Sequence, residues 1–273
     1  LDDLRKNQVK QLSSFKIGKV NARKEARRLR RIQQNQERIV FRKLNTLFRK
    51  FLRTSAFLYE EFGQFNISVS SFRLREELTP TLINHYKRVF RTIYNSNNEM
   101  FDRGRKQEEI FVFDRSQDFE KLIDDYFRNR QLYLVGITTR IANRIDKIIQ
   151  NGRAEGLTLR EIARNIANDF GFTRSRASLI ARTETHSAAT FANHQYYRTA
   201  GNDYGFNFVK QWVATNDERT RPDHRNANGQ VVDMDEDFNI GGVLMEYAGD
   251  PKGGAKNVVN CRCVIVYKDK DDL

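Results

Sequence analysis

A chain of 273 residues, 39% of them hydrophobic, holds enough apolar material for one large or two ordinary domains. It has no apolar run near the roughly 18 residues of a membrane span, no apolar signal-peptide block behind its basic N-terminus, and only two cysteines. Those features argue against membrane-spanning and disulfide-stapled classes and lead to an expectation of an intracellular, reducing setting. The net charge of +13 is unevenly placed, with 17 Lys+Arg against 4 Asp+Glu in residues 1–53 and 9 against 13 in residues 201–273. Because the chain begins at Leu1 rather than Met, it reads as processed, trimmed or part of a longer polypeptide.

In chain order, the first element expected is a long helix over 21–62. Ile39, Val40, Leu44, Leu47, Phe48, Phe51 and Leu52 fall at the 3/4 spacing of one face, and Gly63 ends it. Its basic run, Arg23, Lys24, Arg27, Arg28, Arg30 and Arg31, is denser than solvation needs and suits contact with a nucleic acid or another acidic surface. Phe65–Ser71 is the one extended candidate in the first two hundred residues. Thr79-Pro80 then reads as a helix start. Ser116 opens another helix, and a further one runs from about 131 to a stop at Asn151-Gly152. Thr158 and Glu161 form a capping box for a short amphipathic helix carrying Leu159, Ile162, Ile166 and Phe170 on one face. A long helix from Thr173 or Ser175 to about Ala200-Gly201 closes the helical part.

After Gly201 the character changes. Residues 206–215 alternate like a strand, Gln230–Val232 and Gly242–Met245 are short extended candidates, and Cys261–Tyr267 is the last. The fold class is therefore α+β: a predominantly helical N-terminal body and a small, loop-rich C-terminal module of short strands. Three segments follow from this reading, namely a basic helical arm over 1–62, a helical region over 63–152, and a helix-plus-strand domain over 153–273.

Three clusters carry the chemistry. Arg182 and His186 share a helix face, and Glu184 lies on another; they are either polar anchors for the module that follows or ordinary surface groups. Asp217, Arg219, Arg221, Asp223 and His224 surround the Asn228-Gly229 turn, as a hydrogen-bonded network or as a site with His224 as base. Cys261 and Cys263, read on a strand, point to the same face at the upper limit of disulfide reach, and they lack the C-x-x-C of a redox pair. Two readings stay open for the thiols. One is a structural zinc ion held by Cys261, Cys263 and His224, with His186 as a candidate fourth ligand. The other is packing as small hydrophobes, with no cofactor at all.

Taken together, Ile180–Glu184, then Trp212, Asp217, Arg219, Thr220, Arg221, His224 and Gly229, then Gly249-Asp250-Pro251, then Asn260–Cys263 resemble the phage head morphogenesis domain. That is the family of minor head proteins similar to phage Mu protein F, and the resemblance covers about residues 150–265. It implies a minor capsid component of the virion, associated with the portal protein and the packaged DNA, with scaffold or major capsid protein as further partners and no membrane. It implies that Arg182, Glu184, Trp212, Asp217, Arg219, Arg221, His224, Gly229, Asp250, Asn260 and Arg262 are structural determinants rather than catalysts. The expectation is accordingly of a non-enzyme. The alternative is a toxin-like enzyme module, a nuclease or ADP-ribosyl transferase, built on Arg182, Glu184, Asp217 and His224. A third reading, from charge alone, is a nucleoid-type binder of host DNA.

Overall fold

The computed structural model describes residues 20–102 and 116–272. The part of the basic arm over residues 1–19 lies outside the described residues. A predominantly helical N-terminal region leads into a small C-terminal β module, in agreement with the α+β expectation.

Helix α1 spans Ala22–Phe62, and Asn21 starts it by accepting the Lys24 amide at 3.0 Å. Gly63, at φ +62, ends it by donating to the Tyr59 carbonyl. Helix α2 spans Ile67–Asp102. The extended reading of 65–71 is thus corrected: the Asn66 side chain accepts the Val69 amide at 3.0 Å and caps a helix instead. The helix start at Thr79-Pro80 is corrected too, because Pro80 lies inside α2. An interior proline costs about 3 kcal/mol. The buried stripe Leu74, Leu78, Leu82, Tyr86, Val89, Phe90 and Ile93 runs straight through it. At roughly 1.5–3 kcal/mol for each large buried apolar side chain, the stripe outweighs the proline.

Helices α3 (Ser116–Arg128), α4 (Gln131–Ala154), α5 (Leu159–Asn168) and α6 (Phe170–Tyr204) follow. The capping box at Thr158 and Glu161 forms reciprocally. In α5, Ile162, Ala163 and Ile166 face the core, whereas Leu159, at the first position of the helix, is exposed. Helix α4 passes Gly152 rather than stopping there. A Cβ at Gly152 would sit 2.6 Å from Ile162 Cγ1, so the glycine serves close approach of α4 and α5. Around that crossing, Leu52, Ala56, Tyr59, Ile145, Ile149, Ile162 and Ile166 form one buried cluster. Helix α6 begins at Phe170, three residues ahead of Thr173.

The β module contains β1 (Phe208–Val213), α7 (Pro222–Asn226), β2 (Val231–Asp233), β3 (Phe238–Ile240), β4 (Val243–Met245), α8 (Gly254–Val258) and β5 (Val264–Asp269). An antiparallel sheet runs β2-β1-β5, with Trp212 opposite Ile265 and Val209 opposite Asp233. A second antiparallel pair, β3-β4, turns at Gly241-Gly242, both with positive φ. Strand β3 has no counterpart in the sequence reading. Among the described residues two compact units separate: one gathers the chain up to Gln36, the stretch from Arg88, and Arg182 onward; the other gathers Glu37–Lys87 and Ser116–Ala181.

Two glycines of α4 have opposite expected effects. Gly152→Ala should destabilise by about 1–3 kcal/mol through overpacking against Ile162. Gly136→Ala meets nothing within 4 Å and should stabilise by up to about 1 kcal/mol. Chemical denaturation of both variants checks the pair.

Candidate metal centre

Helix α6 differs from an ordinary surface helix, since every residue from Thr183 to Thr190 is buried. Its polar side chains lie along the segment 260–267. Arg182 Nη1 donates to Asn260 Oδ1 at 3.2 Å, and Thr183 Oγ1 accepts the Asn260 amide at 3.2 Å. His186 Nε2 lies 2.7 Å from the Cys263 carbonyl, Asn193 Nδ2 donates to the Ile265 carbonyl, and His194 Nδ1 lies 3.0 Å from the Tyr267 hydroxyl. Arg182 and His186 thus bond the segment that leads into β5. Glu184 is buried beside them.

From the other side comes the turn after β1. Asp217 Oδ1 accepts from the Arg219 amide and from Thr220 Oγ1, and the carboxylate receives both Nη atoms of Arg262 at 2.5 Å. These hydrogen bonds from Arg262 hold the Asp217 carboxyl well below the usual carboxylate range. Arg221 donates to the Val259 carbonyl and occupies the N-cap position of α7, whose first residue is Pro222. Gly229, at φ +89, donates to the Trp212 carbonyl, while Asn228 Oδ1 accepts the Ala214 amide. Asp250 accepts the amides of Glu246 and Lys252 and so fixes the Gly249-Asp250-Pro251 turn.

These two scaffolds converge on the thiols. Cys261 and Cys263 are not on a strand: they precede β5, in a loop turned by Asn260 at φ +58. Both are buried and free. His224 Nδ1 lies 3.5 Å from Cys261 Sγ and 3.4 Å from Cys263 Sγ, and the three ligand atoms all fall within 4.8 Å of one another. The other ring nitrogen of His224 faces Asn257 Oδ1 at 3.4 Å. An amide oxygen only accepts, so Nε2 carries the proton and the Nδ1 lone pair is aimed at the sulfurs. A metal-bound histidine is held in this way. Tetrahedral zinc, with Zn–N of about 2.0–2.1 Å and Zn–S of about 2.3 Å, separates N from S by about 3.5 Å. The cluster therefore fits a metal ion. Cys263 donates to Cys261, which holds the Cys261 thiol down and pushes Cys263 up. The indole of Trp212 packs edge-on to His224.

Two expectations change. His186 is not brought within range of all three ligand atoms as a fourth ligand. The expectation of a non-enzyme is overturned by the buried His224-Cys261-Cys263 cluster, a candidate metal-binding or catalytic centre. Sequence reasoning missed Asn257, whose Oδ1 faces the His224 ring. Arg28 of the basic run is taken up by Glu25, Ser96 and Asn97, and Arg30 by the Val213 and Ala214 carbonyls. Arg23, Lys24, Arg27 and Arg31 lie on the outer side of the helix. Arg23, Arg27 and Arg30 line a groove of ≈ 570 Å³ with Thr215 and Asn216. It shares Asn216 and Asn228 with a more open groove of ≈ 870 Å³ lined by Arg219 and Arg225.

Residues 143–266 match the family model described as Phage Mu protein F like protein. Over 128 residues the chain is 35% identical to NAD(+)--arginine ADP-ribosyltransferase EFV of Enterococcus faecalis (strain ATCC 700802 / V583), covering 46% of this chain and 26% of that protein. It is 31% identical over 132 residues to Minor head protein GP7 of Bacillus phage SPP1, covering 46% and 41%. It is 26% identical over 125 residues to Uncharacterized protein YqbB of Bacillus subtilis (strain 168), covering 44% and 40%. The chain thus spans well under half the length of these curated relatives. No solved structure matches it.

The Asp217–Arg262 pair sets a pH dependence. A carboxyl depressed on folding contributes stability that is fully present above its unfolded value of about 3.9 and is lost as pH falls through the folded value. Asp217→Asn should therefore be less stable than the unsubstituted chain at neutral pH, with the gap closing progressively below about pH 4. Denaturation of both proteins in parallel across the acid range measures that gap.

Proposed function

We propose, from the premise that residues 143–266 belong to the phage Mu protein F-like family, that the chain is a phage minor head protein acting at the portal vertex in head assembly and in DNA packaging or delivery. The observation that carries this reading is the convergence of His224, Cys261 and Cys263 on one buried centre, in a segment similar to Minor head protein GP7. The portal protein, packaged double-stranded DNA, and scaffold or major capsid protein are the partners, and the virion is the location. No helix among the described residues is long and apolar enough to cross a membrane. Arg23, Lys24, Arg27 and Arg31 lie against phosphate and gain by counterion release without reading bases. A zinc ion held by His224, Cys261 and Cys263 ties α7 to the loop ahead of β5.

A second reading has its own support: the 35% identity with EFV and the His-Cys-Cys cluster. It makes the chain an enzyme module of the ADP-ribosyl-transfer kind. Its chemically competent groups are then His224, Cys261 and Cys263 rather than the quartet Arg182, Glu184, Asp217 and His224. Glu184 is buried, and Asp217 is locked to Arg262.

Fractionation of phage particles tests the first reading, since absence from both procapsids and mature heads would end it. Incubation with labelled NAD+ and an arginine-containing acceptor protein tests the second, which requires turnover that is abolished by His224→Ala. Reversing Arg23, Lys24, Arg27 and Arg31 to Glu should weaken DNA binding. It should also flatten the dependence of log affinity on log salt by about 0.9 for each phosphate no longer neutralised. Metal analysis of the chain purified without chelator should give about one zinc per chain, reduced by Cys263→Ser.

A further inference from the structure

Two surface grooves adjoin beside the start of α1. The narrower lies between Arg23, Arg27 and Arg30 of the helix and residues 211–216 of β1 and the turn behind it. The wider is lined by Arg219 and Arg225. Asn216 and Asn228 line both, so the two form one path. The helix start and the turn belong to the same compact unit.

Among the described residues, five arginines line this path against the carboxylates of Asp217 and Glu218. Asp217 is already taken by Arg262, which leaves Glu218 as the opposing charge. Three of the guanidinium groups are oriented by neutral acceptors. Arg27 Nε donates to the Arg23 carbonyl at 3.3 Å, and Arg30 Nη2 donates to the Val213 and Ala214 carbonyls at 3.1 and 3.0 Å. Arg225 Nη2 donates to the Asp217 and Thr220 carbonyls at 3.2 and 3.3 Å. A carbonyl positions a guanidinium without cancelling its charge, and each fork keeps N–H donors for a further acceptor. Planar forks held in this way suit phosphate oxygens. Trp212, the aromatic residue among the lining groups, is fully buried, so unpaired bases find no ring to stack on. The path therefore fits the backbone of a duplex better than a single strand.

We propose that this groove, rather than the outer stripe of α1 alone, seats the sugar-phosphate backbone of double-stranded DNA, with Arg219 and Arg225 of the β module contacting phosphates next to those that Arg23 and Arg27 reach from the helix. The inference rests on the DNA-binding reading above and deepens it. It carries the contact surface onto the turn after β1, within a stretch, residues 201–273, where 9 basic residues stand against 13 acidic ones. Position in the fold, not the charge of the segment, gives those two arginines their role.

Titration of the full chain with a fluorescent duplex of mixed sequence, over a range of salt concentrations, tests it. Arg219 holds Asp217 through its backbone amide, so Arg219→Ala leaves that hydrogen bond of the turn in place. The variant should weaken binding about eightfold near 0.1 M salt and flatten the slope of log affinity against log salt by about 0.9, the loss of one phosphate contact. Ala22→Trp alters no charge and obstructs the narrower groove from the helix side. It should weaken binding as well, which contact along the outer stripe alone would not do. Unchanged affinity and slope in Arg219→Ala, with binding lost when Arg23, Lys24, Arg27 and Arg31 are reversed, would overturn the inference and leave the DNA reading intact. Displacement of the duplex by polyglutamate of equal charge as readily as by unlabelled duplex would overturn it in favour of an acidic protein partner. Displacement by inorganic phosphate at constant ionic strength would overturn it in favour of a small-anion site. An unsubstituted chain that binds no duplex at all would overturn both readings.

Discussion

Between Thr183 and Thr190 helix α6 is buried on every side, yet most of those residues are polar. A buried polar group left unpaired costs about 1–3 kcal/mol, so this helix is admissible only if something inside the protein satisfies it. The segment 260–267 meets part of that demand, residue 260 with Arg182 and Thr183, residue 263 with His186, residue 265 with Asn193 and residue 267 with His194, while Thr190 bonds back to carbonyls of its own helix. Hydrogen bonds at that spacing set the register as no apolar contact would. Sliding the segment by one residue would break several of them at once. The position of both cysteines is a consequence of that register.

The β module depends on the same register. Its sheets have three and two short strands, too little to be stable alone in water. It gains stability from α6 through the Tyr197–Tyr267 stack at 4.3 Å and from a core around Trp212, which packs edge-on to Phe238 and His224. Buried Lys210 is accommodated by donating to the Glu246 carbonyl and lying over the Phe238 ring, while burial lowers its pKa. His194, desolvated beside Tyr267 and Tyr247, is pushed down to about 3 and stays neutral. The module is thus fastened by directional contacts where buried area is scarce. A metal at His224, Cys261 and Cys263 would add one more such contact, between a turn and a loop that no strand pairing joins.

How much of this is legible in the sequence depends on whether the signal is local. The 22–62 helix, its Gly63 stop and the Thr158–Glu161 box follow from periodicity and capping, which neighbouring residues decide. Pro80 misleads because a local breaker is outweighed by a stripe of tertiary contacts. Strand β3, Phe238–Ile240, escapes notice although β2 and β4 of equal length do not, because it follows directly on the acidic run Asp235–Asp237, which reads as a loop. At the centre, the residue types are readable and the backbone is not. Cys261 and Cys263 read as strand residues, yet they face His224 from an irregular loop whose turn at Asn260 no periodicity announces. The convergence of His224, Cys261 and Cys263 is readable only as a grouping of ligand types, since residues 224 and 261 are brought together by tertiary structure.

The basic run shows the same limit in electrostatic form. Along the sequence Arg23, Lys24, Arg27, Arg28, Arg30 and Arg31 look equivalent, but a helix sorts them. Ala26 and Leu29 face inward and are buried, and Arg28 and Arg30 flank that inner face. Arg28 is drawn onto Glu25 and Asn97, and Arg30 onto two backbone carbonyls of the β module, where their charge serves folding. Arg23, Arg27 and Arg31 are spaced by four and share the outer stripe with Lys24 beside them. A net charge of +13 therefore overstates what this stretch offers a polyanion. Screening confines each exposed charge to about 8–10 Å at physiological salt, so the local stripe, not the total, governs any contact with phosphate.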